Sequence, residues 1–348
     1  MGSAVDPSRP PPVVPVSRAG TGLGRARALS ALAQVGIPAT NLHRVPSVTN
    51  EVWLTDEYVV RVNRDASMRL RREAVLSTVL PDGVGYPGVV QYGGEVGSDW
   101  LVMPRIPGRP LSRWWPTMPE ERRREAVKQI AERLRLVHGT VCPRLDGLHD
   151  APQLLDPADR GRLAVARLLD ALDKAGRLQH VDAGIMTEAA DLVRGLAPAL
   201  DPFNHQTIVH GDLTFENVLW DGEKVTAILD FEFARPGPPD LDLDVILRFA
   251  ALPSLHVASD YEAETRAEDY QSLPWWLAED YPELFANPRQ FDRVRIYSLA
   301  WDVRELLAFP PMASRHSLHP HHPYQRIVRL LRGTSYLDRF NGKVVIEY

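Results

Sequence analysis

The sequence predicts an α+β fold in two parts, a small β-rich part followed by a larger helical one. Three observations lead there. Short apolar and β-branched runs crowd between residues 48 and 104, among them VTNEVWLT and EYVVRVN with Asp56-Glu57 as the turn between them. From Pro119 onward the apolar spacing becomes helical over long stretches. The chain has 348 residues, 44% hydrophobic and 24% charged, and at about 150 residues per domain that length suits two lobes.

Composition removes several function classes. The net charge of −5 argues against bulk attraction to nucleic acid or anionic lipid. The single cysteine, Cys142, excludes an internal disulfide framework and a Cys-based zinc site. Beside Pro143, and with only Arg144 as a basic neighbour, it reads as an inert thiol. No run approaches the roughly 20 apolar residues of a membrane span, and residues 1–18 lack a signal-peptide core. The expectation is a soluble, cytoplasmic protein.

Taken in order, residues 1–24 (ending PSRPPPVVPVSRAGTGLG) read as a flexible Pro/Gly-rich tail. Gly20, Gly22 and Gly24 follow no strand and carry no Lys-Ser/Thr, so they are not taken as a nucleotide loop. RARALSALAQV predicts a helix over 25–35, stopped by Gly36-Ile37-Pro38. After the two strand-like runs, a charged helix is expected over 67–80, ended by Pro81-Asp82-Gly83, then strands over 89–92 and 99–104. Helices are expected over 120–138, 157–175 and 183–200. Residues 207–230 differ: a loop, the strand NVLW, the turn Asp221-Gly222, and the strand VTAILD, a hairpin signal. The remainder is helical, interrupted by prolines, and there is no internal repeat.

The strongest chemical signal is His210-Gly211-Asp212-Leu213-Thr214-Phe215-Glu216-Asn217, with Asp230 thirteen residues after Asn217 at the end of an apolar strand. Phosphoryl transfer needs one carboxylate to orient the attacking hydroxyl and accept its proton. It also needs an amide oxygen and a second carboxylate to hold a divalent ion against the phosphates. A hairpin can hold all three within a few ångströms of one another.

HGDLTFENVL followed by LDFE resembles the aminoglycoside phosphotransferase family, a branch of the protein-kinase-like superfamily. The resemblance covers about residues 40–310 in outline and is specific around 205–245. It implies a bilobal kinase-like α+β fold with a small N-lobe over 25–105 that binds nucleotide. A helical C-lobe over 106–348 would carry the catalytic loop and acceptor site. It implies Asp212 as catalytic base, Asn217 and Asp230 as Mg²⁺ ligands, and His210 as a structural member of the loop. ATP, or GTP, would be the phosphoryl donor. In such kinases a basic residue on the third strand pairs with an acid on the next helix, and here Arg61 and Glu73 occupy those places. Arginine stands where lysine is usual; it is always charged and forks well onto phosphate. The phosphate-covering loop falls at Ser47-Val48-Thr49-Asn50 and lacks the kinase glycines. WLVMPRIPGRPL resembles the inter-lobe hinge. Pro104, without an N–H, would offer its carbonyl and Ile106 its N–H to the base. In FEFARPGPPDLDLD an aspartate is expected to brace the loop. Asp240, Asp242 and Asp244 compete, with Asp242 and Asp244 favoured.

The implied reaction is transfer of a γ-phosphoryl group to an alcohol. Residues 260–283 contain eight acids and one base, which suits a cationic, amine-rich acceptor such as an antibiotic, although a solvated face is the common origin of such runs. A metabolic kinase acting on homoserine, choline, a sugar or a biosynthetic intermediate is the alternative within the superfamily. A nucleotide-binding regulatory pseudokinase is the alternative outside enzymes. Trp114, Trp115, Trp275 and Trp276 are expected in the core. The cluster His316, His319, His321 and His322 is expected to be a polar loop rather than a metal site.

Overall fold

Apolar side chains every three or four residues commit α1 (Thr21–Gln34) to one face. Ala28, Ala31 and Leu32 from that face pack with Trp53, Val60, Val62, Trp100 and Val102 of a five-stranded antiparallel sheet. A fully buried Leu or Val there contributes about 1.5–3 kcal/mol of transfer energy. The sheet runs β1 (His43–Val45), β2 (Glu51–Leu54), β3 (Tyr58–Val62), β5 (Trp100–Pro104), β4 (Gln91–Gly93) in spatial order, with α2 (Arg69–Ser77) inserted between β3 and β4. β6 (Arg109–Pro110) follows, then the long helix α3 (Glu120–His138). The computed structural model describes residues 21–45, 47, 50–145, 147–148, 154–155, 163–203, 206–258 and 260–340.

Further along come α4 (Ala166–Ala175), α5 (Ala183–Leu196), β7 (Ile208–Val209), β8 (Val218–Trp220), β9 (Val225–Ile228) and β10 (Arg235–Pro236). They are followed by α6 (Asp240–Ala251), α7 (Leu273–Asp280), α8 (Gln290–Ala308) and α9 (Pro323–Leu331). The chain is therefore α+β, with its larger sheet in the N-terminal part and a helical C-terminal part. Contacts divide it into two compact units. Among the described residues, one comprises 21–148 and 206–281, and the other 154–203 and 282–340.

The first unit contains the five-stranded sheet, α1 to α3, the short strand pairs, α6 and α7. β6 pairs with β8, and β8 with β9, so the segment after β5 is tied to the hairpin. Leu213, Phe215, Val218, Ile130, Ile246 and Phe249 surround one apolar pocket beneath this hairpin. Trp115 is fully buried beside Phe215 and donates its Nε1–H to the Asp269 carbonyl at 2.7 Å. Trp276 is also buried, while Trp114 and Trp275 are only partly so. In the second unit α4 packs on α5 and α8, and α8 on α9. Buried Arg293 lies 5.8 Å from the ring centroids of both Phe203 and Tyr297 and donates to the Ala199 carbonyl at 3.0 Å.

The elements differ from the sequence expectations mainly at their ends. α1 begins at Thr21 and takes in Gly22 and Gly24. α5 stops at Leu196, and a 3₁₀ turn over Ala197–Leu200 follows because Pro198 cannot continue an α-helix. α3 spans the expected 120–138, and the hairpin turns at Asp221-Gly222 as expected. Most of the expected tail, residues 48–49 of the phosphate loop and 157–162 of the expected helix lie outside the described residues.

Candidate active site

The loop after β7 is built around a glycine. Gly211 has φ +79°, and a Cβ there would lie 2.6 Å from the Phe233 carbonyl oxygen, so only glycine fits without strain. The bend sends the backbone N–H groups of His210 and Gly211 into the core. Asp242 on α6 accepts both, at 2.7 Å each, one on each carboxylate oxygen. His138 Nε2 lies 3.0 Å from the same carboxylate. Asp244 instead pairs with Arg248 at 3.0 Å, so of the three competing aspartates it is Asp242 that meets this loop. Burial alone would push the Asp242 carboxyl up. Hydrogen bonds from His138 and Gly211, with the nearby imidazoles, hold it below its ordinary 3.8.

His210 is fully buried, with its ring 4.6 Å from that of Phe231. Its Nε2 is 2.8 Å from the Leu229 carbonyl, and its Nδ1 receives the Asp212 N–H at 3.3 Å. That network assigns the neutral Nε2–H tautomer. Burial pushes its pKa below the ordinary 6.5.

Both groups give the loop an acid-sensitive anchor. Stabilisation from a neutral buried histidine is complete above its unfolded pKa and declines as pH falls below 6.5. That from the depressed Asp242 carboxyl is lost lower, as pH falls through a value under 3.8. The thermal midpoint is therefore expected to fall in two stages on acidification. Asp242→Asn is expected to lower it by the equivalent of about 2–4 kcal/mol and to remove the second stage, since backbone donors would be left facing an amide. A midpoint insensitive to Asp242→Asn at neutral pH would overturn the assignment.

Asp212 follows, partly exposed at the loop surface, with Leu213, Thr214 and Phe215 buried behind it. Asn217 Nδ2 donates to the Asp212 carbonyl at 2.8 Å and lies 3.4 Å from its Oδ2. Val218 pairs with Ile228, and the Leu229 N–H donates to the Asn217 carbonyl at 2.8 Å. The hairpin register therefore sets Asn217 one residue from Asp230. Asp230 has φ +66° and ψ +60°, a left-handed turn that takes the chain out of β9.

At that turn Asp230 enters a second group of side chains. Arg61 Nη1 donates to Glu73 at 2.5 Å, and Arg61 Nη2 donates to both Asp230 and Glu232 at 2.8 Å. Glu73 is fully buried, so this is not an exposed ion pair. Asn50 is also buried, and its Nδ2 donates to Glu232 at 2.7 Å. Burial alone would lower the Arg61 pKa; Asp230, Glu73 and Glu232 outweigh that, raise it well above the ordinary guanidinium value and keep the group charged. The carboxylates themselves are crowded. Burial and repulsion from Asp230 push Glu232 up to about 7, and burial raises Glu73 despite Arg61.

Sequence reasoning left Glu232 without a role. Its signal was available, an acid two places after Asp230 at the end of an apolar strand, but its partners at 50 and 61 are distant in sequence. The arrangement thus has two groups. Arg61, Glu73, Asn50, Asp230 and Glu232 form one; His210, Asp212, Asn217 and Asp242 form the other; and Leu229 bonds to both His210 and Asn217 in the second, one residue before Asp230 in the first. On the hinge, Pro104 ends β5 opposite Tyr58, the Arg105 N–H donates to the Glu57 carbonyl at 2.7 Å, and Ile106 is partly buried.

The residues present fit a magnesium ion. Asp230 keeps about a third of its side chain exposed, and with the Asn217 amide oxygen it supplies hard oxygen donors of the kind Mg²⁺ takes alongside phosphate and water. Among the described residues no group of three or more His, Cys, Asp or Glu side chains is arranged to hold a metal. In the histidine cluster, His322 Nδ1 caps α9 by accepting the Tyr324 N–H at 3.2 Å, and burial drops its pKa to about 4. Burial raises the Cys142 thiol to about 11, which leaves it protonated and unreactive at neutral pH. In the acidic segment Asp269 pairs with Arg123 and Glu279 with Arg124, whereas Glu262, Glu264 and Glu268 are exposed. No helix among the described residues is long and apolar enough to cross a membrane.

The model of the phosphotransferase enzyme family matches residues 41–276. An aminoglycoside 3'-phosphotransferase of Streptomyces ribosidificus is 30% identical over 175 residues, which is 49% of this chain and 61% of that protein. A viomycin phosphotransferase of Streptomyces vinaceus is 31% identical over 182 residues, 47% of this chain and 56% of that protein. The matched region thus spans about three-fifths of the length of these relatives. A thermostable mutant of aminoglycoside phosphotransferase APH(4)-Ia, solved in a ternary complex with ADP and hygromycin B, shares the fold. Its TM-score is 0.56 at 15% identity, over 88% of this chain and 97% of that one.

Proposed function

Because the chain belongs to the phosphotransferase enzyme family, we propose that it transfers the γ-phosphoryl group of ATP to a hydroxyl of a small, cationic, antibiotic-like acceptor. The observation that carries this reading is the hairpin. It joins the Asp212–Asn217 loop through Leu229 to Asp230, whose carboxylate meets Arg61. In the proposed step Asp212 orients the acceptor hydroxyl and takes its proton as the oxygen bonds to the γ-phosphorus. The bond from that phosphorus to the β-bridging oxygen breaks, and ADP leaves. Asn217 and Asp230 would hold Mg²⁺, which supplies charge neutralisation at the phosphates when bound. Arg61, held by Glu73, would pair with the α/β-phosphates, and Asn50 would border the phosphate loop. The Pro104 carbonyl and Ile106 N–H would meet the base, adenine or alternatively guanine. His210 and Asp242 would fix the loop, and Asp244 would support it through Arg248. Most of the acceleration would come from positioning and electrostatics.

A cationic acceptor is supported by the exposed acids of residues 260–283. It is also supported by relatives named for aminoglycosides and for viomycin. ATP as donor places the work in the cytoplasm. The test is an acceptor panel. Purified protein with ATP and MgCl₂ is offered viomycin, hygromycin B, homoserine and choline, and each product is read for the mass of one added phosphate. Phosphorylation of an antibiotic is expected. Phosphorylation of homoserine or choline alone would favour a metabolic kinase. Nucleotide binding without transfer to any of the four would overturn the proposal and favour a pseudokinase.

A further inference from the structure

Glu73 is a fully buried carboxylate with two oxygens to satisfy. Oε2 faces Arg61 at 2.5 Å, and the backbone N–H of Phe231 also donates to this carboxylate. Oε1 is taken by the hydroxyl of Tyr86 at 2.9 Å. Tyr86 is delivered by a short turn over Asp82–Val84 and by Gly85. Gly85 has φ +75°, and a Cβ there would stand 2.2 Å from the Thr226 carbonyl oxygen on β9. The turn therefore lies flat against β9. The Tyr86 ring then meets Phe231 edge-on at 5.4 Å between centroids, and Phe231 in turn packs on His210.

We propose that Tyr86 is a positioning residue for the nucleotide site: by fixing Glu73 Oε1 from the turn that packs against β9, it sets the orientation in which Glu73 presents Arg61 to phosphate. The inference rests on the reading of Arg61 as a phosphate contact. Without the hydroxyl, the Glu73 carboxylate keeps Arg61 on Oε2 and the Phe231 N–H, and Oε1 loses its side-chain donor in a fully buried place. The carboxylate then gains by turning, and Arg61 Nη1 moves with it toward the side held by Asp230 and Glu232. Burial and the adjacent Glu73 keep the Tyr86 hydroxyl protonated, so it stays a donor throughout the neutral range.

The test is a double-mutant cycle of Tyr86→Phe and Glu73→Gln, with ADP and MgCl₂ as the probe in titration calorimetry. Tyr86→Phe keeps the ring against Phe231 and removes only the hydroxyl. Its Kd for ADP is expected to rise roughly tenfold, the size of one hydrogen bond to a charged group. In the Glu73→Gln background the same change is expected to have little further effect. A merely structural tyrosine would lower the thermal midpoint and leave the ADP affinity unmoved, or weaken it by the same factor in both backgrounds; either result overturns the proposal. If the wild-type protein bound no ADP, the nucleotide reading would fall on its own. The cycle repeated on thermal midpoints would then decide whether Tyr86 holds Glu73 at all, with additive shifts refuting it.

Discussion

Asp212→Asn is expected to slow phosphoryl transfer by roughly a hundred- to ten-thousandfold, the span observed when a general base is removed. Asparagine preserves the shape of the site. The Asn217 amide is anchored mainly on the backbone carbonyl of residue 212, at 2.8 Å, and that bond survives any change of side chain. The clamp from Asp242 acts on His210 and Gly211 and is likewise untouched. The loss should therefore fall on kcat, with the Kd for ADP and the thermal midpoint close to wild type. Both quantities are measurable on the same preparation. Wild-type turnover in this variant would remove Asp212 from the role of base. A large loss of stability would mean that the residue serves the loop rather than the reaction.

Asp230→Asn is expected to cost about two to three orders of magnitude in kcat, the scale for deleting one electrostatic contact to a developing charge. It should also raise the Mg²⁺ concentration needed for half-maximal rate. Asparagine is the suitable replacement because residue 230 has φ +66°, a conformation that Asn tolerates and most side chains do not. Arg61 would keep Glu73 and Glu232, so the guanidinium remains paired while the candidate metal ligand loses its charge. Turnover measured against MgCl₂ concentration separates this effect from that of Asp212→Asn, which should leave the magnesium requirement alone. An unchanged magnesium profile would count against Asp230 as a ligand.

The parts of this protein most legible in its sequence are those whose chemistry is written in consecutive residues. The loop from His210 to Asn217 and the Asp221-Gly222 turn are local, and α3 follows from an uninterrupted helical pattern. The register of DLDLD is different. Residues two apart on a helix point about 200° from one another and residues four apart only about 40°, so Asp242 faces away from Asp240 and Asp244, and only packing selects which face meets the loop. Glu232 and Tyr86 were illegible for a related reason. Glu232 bonds to residues 171 and 182 positions away, and Tyr86 sits in an irregular turn with no period to read. The start of α1 was misplaced because glycines read as punctuation, whereas packing against the sheet overrides their weak helix propensity.

The three carboxylates gathered on Arg61 carry an evolutionary consequence. A planar fork can serve Glu73 with one nitrogen and Asp230 and Glu232 with the other, whereas the compact ammonium of lysine cannot span both sides. Replacing Arg61 with lysine alone would strand buried negative charge. Changing position 232 alone would remove the acid that Asn50 and the fork share. The two positions are therefore expected to form an epistatic pair, with the double substitution costing less stability than the sum of the single ones.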